Sequence, residues 1–514
     1  MGIISRIAYP VFVLVSTCIL ADSLQQTDAA TADGKFNVLF IAVDDLRPEL
    51  GCYGVTGIKS PNIDKLAREG TLFKRAYCQQ AVCSPSRTSL LTGRRPDTTK
   101  IYDLSTHFRL FIPEVVTLPQ YFKQHGYHSQ ALGKIYHGTT FDDPESWSVK
   151  SWHSPGPTYA KPETLAIYEK ERERLKAAGR LRKNVITQQD SKTGAILKLK
   201  RRGTFPRGPS WEDPDVPDNK LPDGKIADQA IEVLREIKDK PFFLAVGFLK
   251  PHLPFVAPKK YFDLYPPEKF KLPDNPFPPK DVPPIALMTW GELRAYTDIP
   301  KKGPLSDEKT LELRRAYYAA TTFTDTQIGR VIDELERLGL RDRTVIVLWG
   351  DHGWQLGEHG LWCKHTNFEL ATHSPMIFSV PNQKNKGAKT DALSEFVDIY
   401  PTLCELCNLP IPEGLEGTSL VPVMNDPGRP WKKAAFSQYP RGPHMGYSMK
   451  TDRYRYTEWA EKGKEPVGIE LYDHQNDPDE NVNIANRPEN KELVAKLSKM
   501  LHAGWQAALP NGYK

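Results

Sequence analysis

Three uninterrupted apolar runs constrain this chain more than any other feature. Residues 37–43 (Asn-Val-Leu-Phe-Ile-Ala-Val), 242–248 (Phe-Phe-Leu-Ala-Val-Gly-Phe) and 344–349 (Thr-Val-Ile-Val-Leu-Trp) lack the alternation of a strand with one wet face. Each therefore reads as a buried parallel strand, covered on both sides. Helical periodicities fall between and around them, at 62–69, 86–91, 116–124, 225–237 and 311–338. Strands alternating with helices predict an α/β fold with a doubly wound, mostly parallel sheet. With 514 residues there is room for one large α/β domain and a smaller one.

Two of the runs end in ligand-type residues. Asp44-Asp45 follows the first, and Gly350-Asp351-His352-Gly353 closes the last. Ligands of open α/β sheets bind at the carboxyl ends of the strands. Adjacent buried carboxylates there are costly unless a cation neutralises them. Asp44, Asp45, Asp351 and His352 are mainly hard donors, which suits Ca²⁺ better than Mg²⁺. The middle run leads into Lys250-Pro251-His252.

The stretch 82–94, Val-Cys-Ser-Pro-Ser-Arg-Thr-Ser-Leu-Leu-Thr-Gly-Arg, reads as a loop entering a helix. Pro85 is tolerated in a first helical turn, whose free amides, with Arg87, would hold a tetrahedral oxyanion. Cys83 is expected at an electropositive helix start, where a thiol is easily activated.

This stretch resembles the sulfatase signature, whose cysteine is oxidised to the catalytic aldehyde formylglycine. Further segments are similar to the iduronate-2-sulfatase-like branch of that family. They include Asp44-Asp45-Leu46-Arg47-Pro48, Gly93-Arg94-Arg95-Pro96-Asp97, Gly133-Lys134-Ile135-Tyr136-His137, Lys250-Pro251-His252, Asp351-His352-Gly353-Trp354 and Gly357-Glu358-His359-Gly360. The likeness runs over about 36–485. It implies an alkaline-phosphatase-like fold, with a large mixed sheet flanked by helices and a smaller C-terminal antiparallel-sheet subdomain. It implies formylglycine at Cys83, made by a formylglycine-generating or equivalent maturation enzyme, with Ca²⁺ held by Asp44, Asp45, Cys83, Asp351 and His352. The hydrated aldehyde attacks sulfur and leaves a sulfated intermediate. Lys134, Lys250 and Lys364 face the sulfate with His252, and Arg87 holds the gem-diol. His252 protonates the leaving alkoxide, and His137 takes the proton that expels sulfate. The implied activity is sulfate-ester hydrolysis on a sulfated oligo- or polysaccharide. A phosphoester or phosphonate hydrolase of the same superfamily, a sulfatase for another algal-type glycan, and a binding protein with a dead site are the alternatives.

Residues 1–21 read as an export signal, with Arg6, an apolar run from Ile7 to Leu20, and Ala21, followed by a polar spacer over 22–34. The run is short for a membrane span, so no stable span is expected. A retained anchor and lipidation at Cys18 are the alternatives, and either way the protein is exported, to the periplasm or beyond. No Asn-x-Ser/Thr acceptor occurs. The net charge of +6 favours anionic partners without selecting nucleic acid, and none is expected. Cys404 and Cys407 have C-x-x-C spacing in an apolar periodic stretch and read as packing thiols.

The catalytic domain is expected over 35–425, with a variable insertion at 150–210. In that insertion, 161–182 is a charged helical run and 188–208 is basic. Both read as a solvated surface insertion, with a glycan-steering patch as the alternative. Proline-rich 266–304, with Trp290, reads as an ordered excursion near the pocket rim. Over 426–514, short antiparallel strands at 434–439, 446–451, 453–459 and 470–473 and a helix at about 490–508 form the subdomain that closes one side of the site.

Overall fold

The computed structural model describes residues 1–2, 35–138 and 140–513. The expected export signal and Cys18 lie outside the described residues. Among the described residues, no helix is long and apolar enough to cross a membrane.

Seven strands form the central sheet: β1 (Asn37–Val43), β2 (Thr71–Phe73), β3 (His128–Gly133), β4 (Phe242–Phe248), β5 (Thr344–Gly350), β6 (Met376–Ser379) and β7 (Ala388–Thr390). Their order is β7-β2-β6-β5-β1-β4-β3. The three apolar runs lie side by side at the centre, with β1 parallel to both β5 and β4. β6 runs antiparallel to β5 and β2, so the sheet is mixed. An antiparallel neighbour can be reached by a loop alone, whereas a parallel one needs a crossover. Between β5 and β6 the chain makes a small hairpin, a 3-10 turn at Glu358–Gly360 and one short α-helix, Glu369–Thr372, with no helix long enough to cross the sheet.

β1 divides its side chains between two cores, which is why no alternation shows. Leu39, Ile41 and Val43 pack against Ile63 and Leu66 of α1 (Pro61–Glu69), Ile226 and Val233 of α4 (Pro222–Ile237), and Ile328 and Val331 of α5 (Asp307–Arg337). Val38, Phe40 and Ala42 face Leu90 and Leu91 of α2 (Cys83–Thr92), Phe122 of α3 (Leu118–Gln124), and Leu403 and Cys404 of α6 (Ile399–Leu406). Local chemistry sets the helix ends. Pro61 and Pro222 occupy first-turn positions, and Thr117 and Gln120 form a capping box. The Ser306 side chain accepts from the Lys309 amide. α2 starts three residues earlier than its periodicity suggests and is buried throughout, so it carries little amphipathic signal. Cys404 and Cys407 are buried free thiols.

Four antiparallel strands, Ala435–Arg441, His444–Lys450, Tyr454–Ala460 and Gly468–Asp473, form the C-terminal sheet in chain order. α7 (Lys491–Ala507) covers one face through Leu497 and Leu501. Trp459 and Tyr472 on the other face join the core that holds Trp354, Trp362 and Phe368. The insertion forms a helix, Pro162–Ala177, and a two-stranded antiparallel ribbon, Lys183–Gln189 with Ile196–Arg202. The proline-rich excursion packs Trp290, Leu293 and Tyr296 into that same core.

Candidate active site

The carboxyl ends of β1 and β5 meet because the strands are paired in register, Val43 beside Gly350. Asp44 and Asp45 thereby stand next to Asp351 and His352, all fully buried. The Asp45 amide donates to Asp351 Oδ1 at 3.0 Å. Asp45 sits at φ 61°, a left-handed conformation unusual for a non-glycine residue. Tyr317 fixes it by donating its hydroxyl to the Asp45 carbonyl at 2.8 Å.

Cys83 is the first residue of α2 and is buried. Its Sγ lies 3.4 Å from His352 Nε2 and 3.5 Å from Lys134 Nζ. Burial pushes the thiol well up, Asp44 adds to this, and Lys134 and Lys364 offset it only in part. This corrects the expectation of an activated thiol: the helix terminus is outweighed by burial and by neighbouring carboxylates, so the unmodified thiol is a poor nucleophile.

Arg87, one turn along α2, is wholly enclosed. Its Nε donates to Asp351 at 2.9 Å and its Nη2 to Asp44 at 3.0 Å, while Nη1 donates to the carbonyls of Lys134 and Ile135. The guanidinium is thus spent on bracing two carboxylates and the Lys134 loop. Its influence on residue 83, expected as direct contact, runs through those groups.

Lys134 follows β3 and pairs with Asp44. Gly247 permits this arrangement, since a Cβ there would lie 2.1 Å from the Lys134 carbonyl oxygen. Lys364 donates to Asp45 at 2.9 and 3.1 Å and stacks over Trp354. The residues flanking it, Cys363 and His365, both have φ 72°. Three left-handed non-glycine residues at one site store backbone strain of about 1–3 kcal/mol each. Burial opposes the Lys364 charge, but Asp45 and Glu292 outweigh it and hold the ammonium on. Burial pushes the Asp45 carboxyl up, only partly offset by His252 and Lys364. Asp44 is held well down against burial, chiefly by Lys134 and then by His252 and Arg87.

His252 Nδ1 is tied to the Leu253 carbonyl at 2.6 Å, leaving Nε2 toward the site, 3.8 Å from Asp45. Lys250, expected on the sulfate, instead donates to the carbonyls of His252 and Pro254, both at 2.7 Å. The structure therefore places its ammonium as a brace for the loop that carries His252. Burial, opposed by Asp223, lowers its pKa to about 8. His137 is half-buried, and its Nδ1 is enclosed with no hydrogen-bond partner among the described residues. Burial, then Lys134 and Arg201, push its pKa well down, so it is neutral at physiological pH.

Sequence reasoning missed Glu292. Its carboxylate lies 3.1 Å from His252 Nε2, 3.1 Å from Lys364 Nζ and 4.0 Å from His365 Nε2. It belongs to no motif, and the only trace was the buried anchor Trp290 two residues earlier.

Donor atoms of Asp44, Asp45, Cys83 and His252 lie within 4.8 Å of one another, as do those of Cys83, Asp351 and His352. Three enclosed carboxylates with one imidazole fit a hard divalent cation. A third cluster, Glu369, His474 and Glu480, is already spanned by Arg455.

The sulfatase family model matches residues 36–409. The model described as N-sulphoglucosamine sulphohydrolase, C-terminal, matches 357–506. The chain belongs to the sulfatase family and is a sulfuric ester hydrolase. Among its relatives is iduronate 2-sulfatase of Homo sapiens, 35% identical, with 94% of this chain and 97% of the relative covered. A sulfatase of Formosa agariphila is 32% identical, covering 96% and 93%. The fold is shared with a solved enzyme in complex with its substrate D-glucosamine-2-N,6-O-disulfate (TM-score 0.68, 22% identity, 92% and 98% covered). It is also shared with a phosphonate monoester hydrolase from Silicibacter pomeroyi (TM-score 0.71, 23% identity, 93% and 96% covered). At such identity these two likenesses carry the fold alone.

Proposed function

We propose that this chain is an exported, formylglycine-dependent sulfatase acting on a sulfated glycan, with iduronate-2-sulfatase-like chemistry. The observation that carries the reading is the position of Cys83, at the start of a buried helix between His352 and Lys134 and beside Asp44. A thiol so raised in pKa gains nothing as a nucleophile. The same position suits a residue that a maturation enzyme has already converted. Hydrated formylglycine there supplies an oxygen nucleophile. A divalent cation, Ca²⁺ by the donor set, would supply charge there to favour an ionised oxygen at residue 83 and to screen the sulfate, with Asp44, Asp45, Asp351 and His352 as the residues that would hold it.

The chain's own residues do the rest. Asp44, Asp45, Asp351 and His352 hold the cation, and Arg87 keeps two of those carboxylates in place. Lys134 and Lys364 offer ammonium groups to the equatorial oxygens of the sulfate. Lys250 fixes the loop that presents His252. With Nδ1 committed to Leu253, His252 delivers a proton from Nε2 to the leaving oxygen. His137, neutral and with a free Nδ1, accepts a proton there as sulfate departs. The catalytic domain is assigned to 35–425 and the closing subdomain to 426–514.

Parallel assays on aryl sulfate, aryl phosphate and a phosphonate monoester test the reading. Sulfate is expected to be preferred, with residue 83 carrying an aldehyde by peptide mass spectrometry. Cys83→Ala is expected to lose about three orders of magnitude or more. Full activity with an intact thiol, or preference for phosphonate, would overturn it.

A further inference from the structure

The ribbon 183–202 concentrates charge that no ion pair neutralises among the described residues. Between Arg180 and Arg207 the chain carries nine basic side chains and one acidic, Asp190. The whole chain has a net charge of +6, so the remainder is slightly negative. The preceding helix neutralises its own charges through the pairs Glu169–Arg172, Glu171–Arg174 and Glu173–Lys176. Among the described residues, none of the nine basic side chains makes an ion pair. Arg182 and Arg207 lie over Phe205, and Arg201 donates to the Leu104 carbonyl.

Strand geometry sorts these charges. Leu197 and Leu199 are buried, while Lys198, Lys200 and Arg202, on the alternate positions, are exposed. Lys183 pairs with Arg202 and Val185 with Lys200, so Lys183 joins the same outer face. Along that face successive cations stand about 6.5–7 Å apart. The free edge of the second strand is strapped to the catalytic body: His107 donates its amide to the Leu197 carbonyl at 2.9 Å, and the Leu199 amide donates to the Ser105 carbonyl at 3.2 Å. At its turn, residues 194–196 face 140–151 across a cleft of about 490 Å³. That opposing segment continues directly from the His137 loop. Phe108, next to the strapped His107, stacks on Tyr136 with ring centroids 5.9 Å apart, so the ribbon lies beside the loop that carries His137.

We propose that the outer face of this ribbon, Lys183, Lys198, Lys200 and Arg202, is a docking strip for a polysulfated polysaccharide chain of which one sugar occupies the catalytic site. The proposal rests on the sulfatase reading of that site. A row of unpaired cations fixed next to a pocket for sulfate matches a ligand that repeats the same anion along its length. It attracts that ligand from a distance. The insertion is a solvated surface, as expected from sequence, and the strip gives it the glycan-steering role named there as the alternative.

The test uses full-length matured enzyme hydrolysing an aryl sulfate, with dextran sulfate as inhibitor. Lys198→Gln/Lys200→Gln/Arg202→Gln should leave uninhibited turnover unchanged and need at least about tenfold more dextran sulfate for half-inhibition. The slope of log affinity against log salt should shrink by about two to three, from the counterions each removed cation no longer releases. A control, Lys384→Gln/Lys386→Gln/Lys462→Gln, removes as many exposed charges elsewhere and should stay within about twofold of wild type. Inhibition of the ribbon variant within twofold of wild type, or equal weakening in the control, would overturn the strip. So would ribbon-dependent binding to vesicles containing 30 mol% phosphatidylserine that is tighter than to dextran sulfate. Fluorescence anisotropy with labelled dextran sulfate repeats the comparison without turnover. An inactive wild type would therefore count against the catalytic reading while the ribbon was still decided.

Discussion

Replacing Glu292 by Gln is the most informative perturbation of the catalytic chemistry. Its carboxylate is 3.1 Å from His252 Nε2 and from Lys364 Nζ, so one side chain orients both the proposed proton donor and a proposed sulfate-binding ammonium. A hydrogen bond to a charged group contributes about 1.5–3 kcal/mol. At about 1.4 kcal/mol per decade, its loss lowers turnover about tenfold to a hundredfold wherever His252 must protonate the leaving group. His252→Ala removes the acid itself and should cost about 10²–10⁴ on the same substrates. The assay is a series of aryl sulfates graded by the pKa of the departing phenol. A nitrophenolate leaves unaided, so both variants should approach wild type there and fall away as the phenol becomes less acidic. Glu292→Gln should steepen that dependence in the same sense as His252→Ala, but less. A uniform loss across the series, with no change in slope, would refute the linkage through His252.

Three further outcomes are expected. Asp45→Asn should weaken Ca²⁺ binding by about tenfold or more, read by titration calorimetry on chelated protein, and chelation of wild type should abolish activity until Ca²⁺ is returned. Gly247→Ala should push on the Lys134 backbone from 2.1 Å, costing about a hundredfold in turnover with only about 1–3 kcal/mol of stability by urea denaturation. Burial works against the Glu358 charge, but Arg47 and Arg314 win and hold its pKa at about 2, below an ordinary 4.5. This depressed value contributes about 3 kcal/mol of stability above pH 4.5, lost as pH falls toward 2. Glu358→Gln should therefore be less stable than wild type at pH 7 and converge on it near pH 2–3.

The central sheet was legible because β1, β4 and β5 are apolar throughout, which few environments other than a covered parallel sheet permit. The metal-type cluster was legible for the same reason: Asp44-Asp45 and Asp351-His352 terminate two of those strands. The direction of β6 was hidden, because it depends on whether a connection crosses the sheet or returns by loop, and short apolar strands read alike either way. Electrostatic detail was also hidden. Cys83 looked activated from its helix terminus alone, but the balance at its sulfur depends on Asp44, Lys134 and Lys364, which arrive from three other elements. The resemblance implied Arg87 on the gem-diol and Lys250 on the sulfate, whereas their hydrogen bonds go to carboxylates and carbonyls. Glu292 lies in a proline-rich stretch without periodicity, so its place depends wholly on how Trp290 and Leu293 anchor that segment.

The backbone that carries the cation ligands is stitched into the sheet beyond the strand ends. Asp44 donates its amide to the Phe248 carbonyl and Asp351 to that of Val43, both at 3.2 Å. Those amides can meet deuterium only when the central strands part, which for a buried parallel sheet is unfolding of the whole domain. The ribbon at 183–202 has one strand exposed along its full length and opens at far lower cost. The molecule thus keeps two clocks. The amides of Asp44 and Asp351 are expected to exchange on the timescale of global unfolding, and those of the exposed strand 183–189 far sooner.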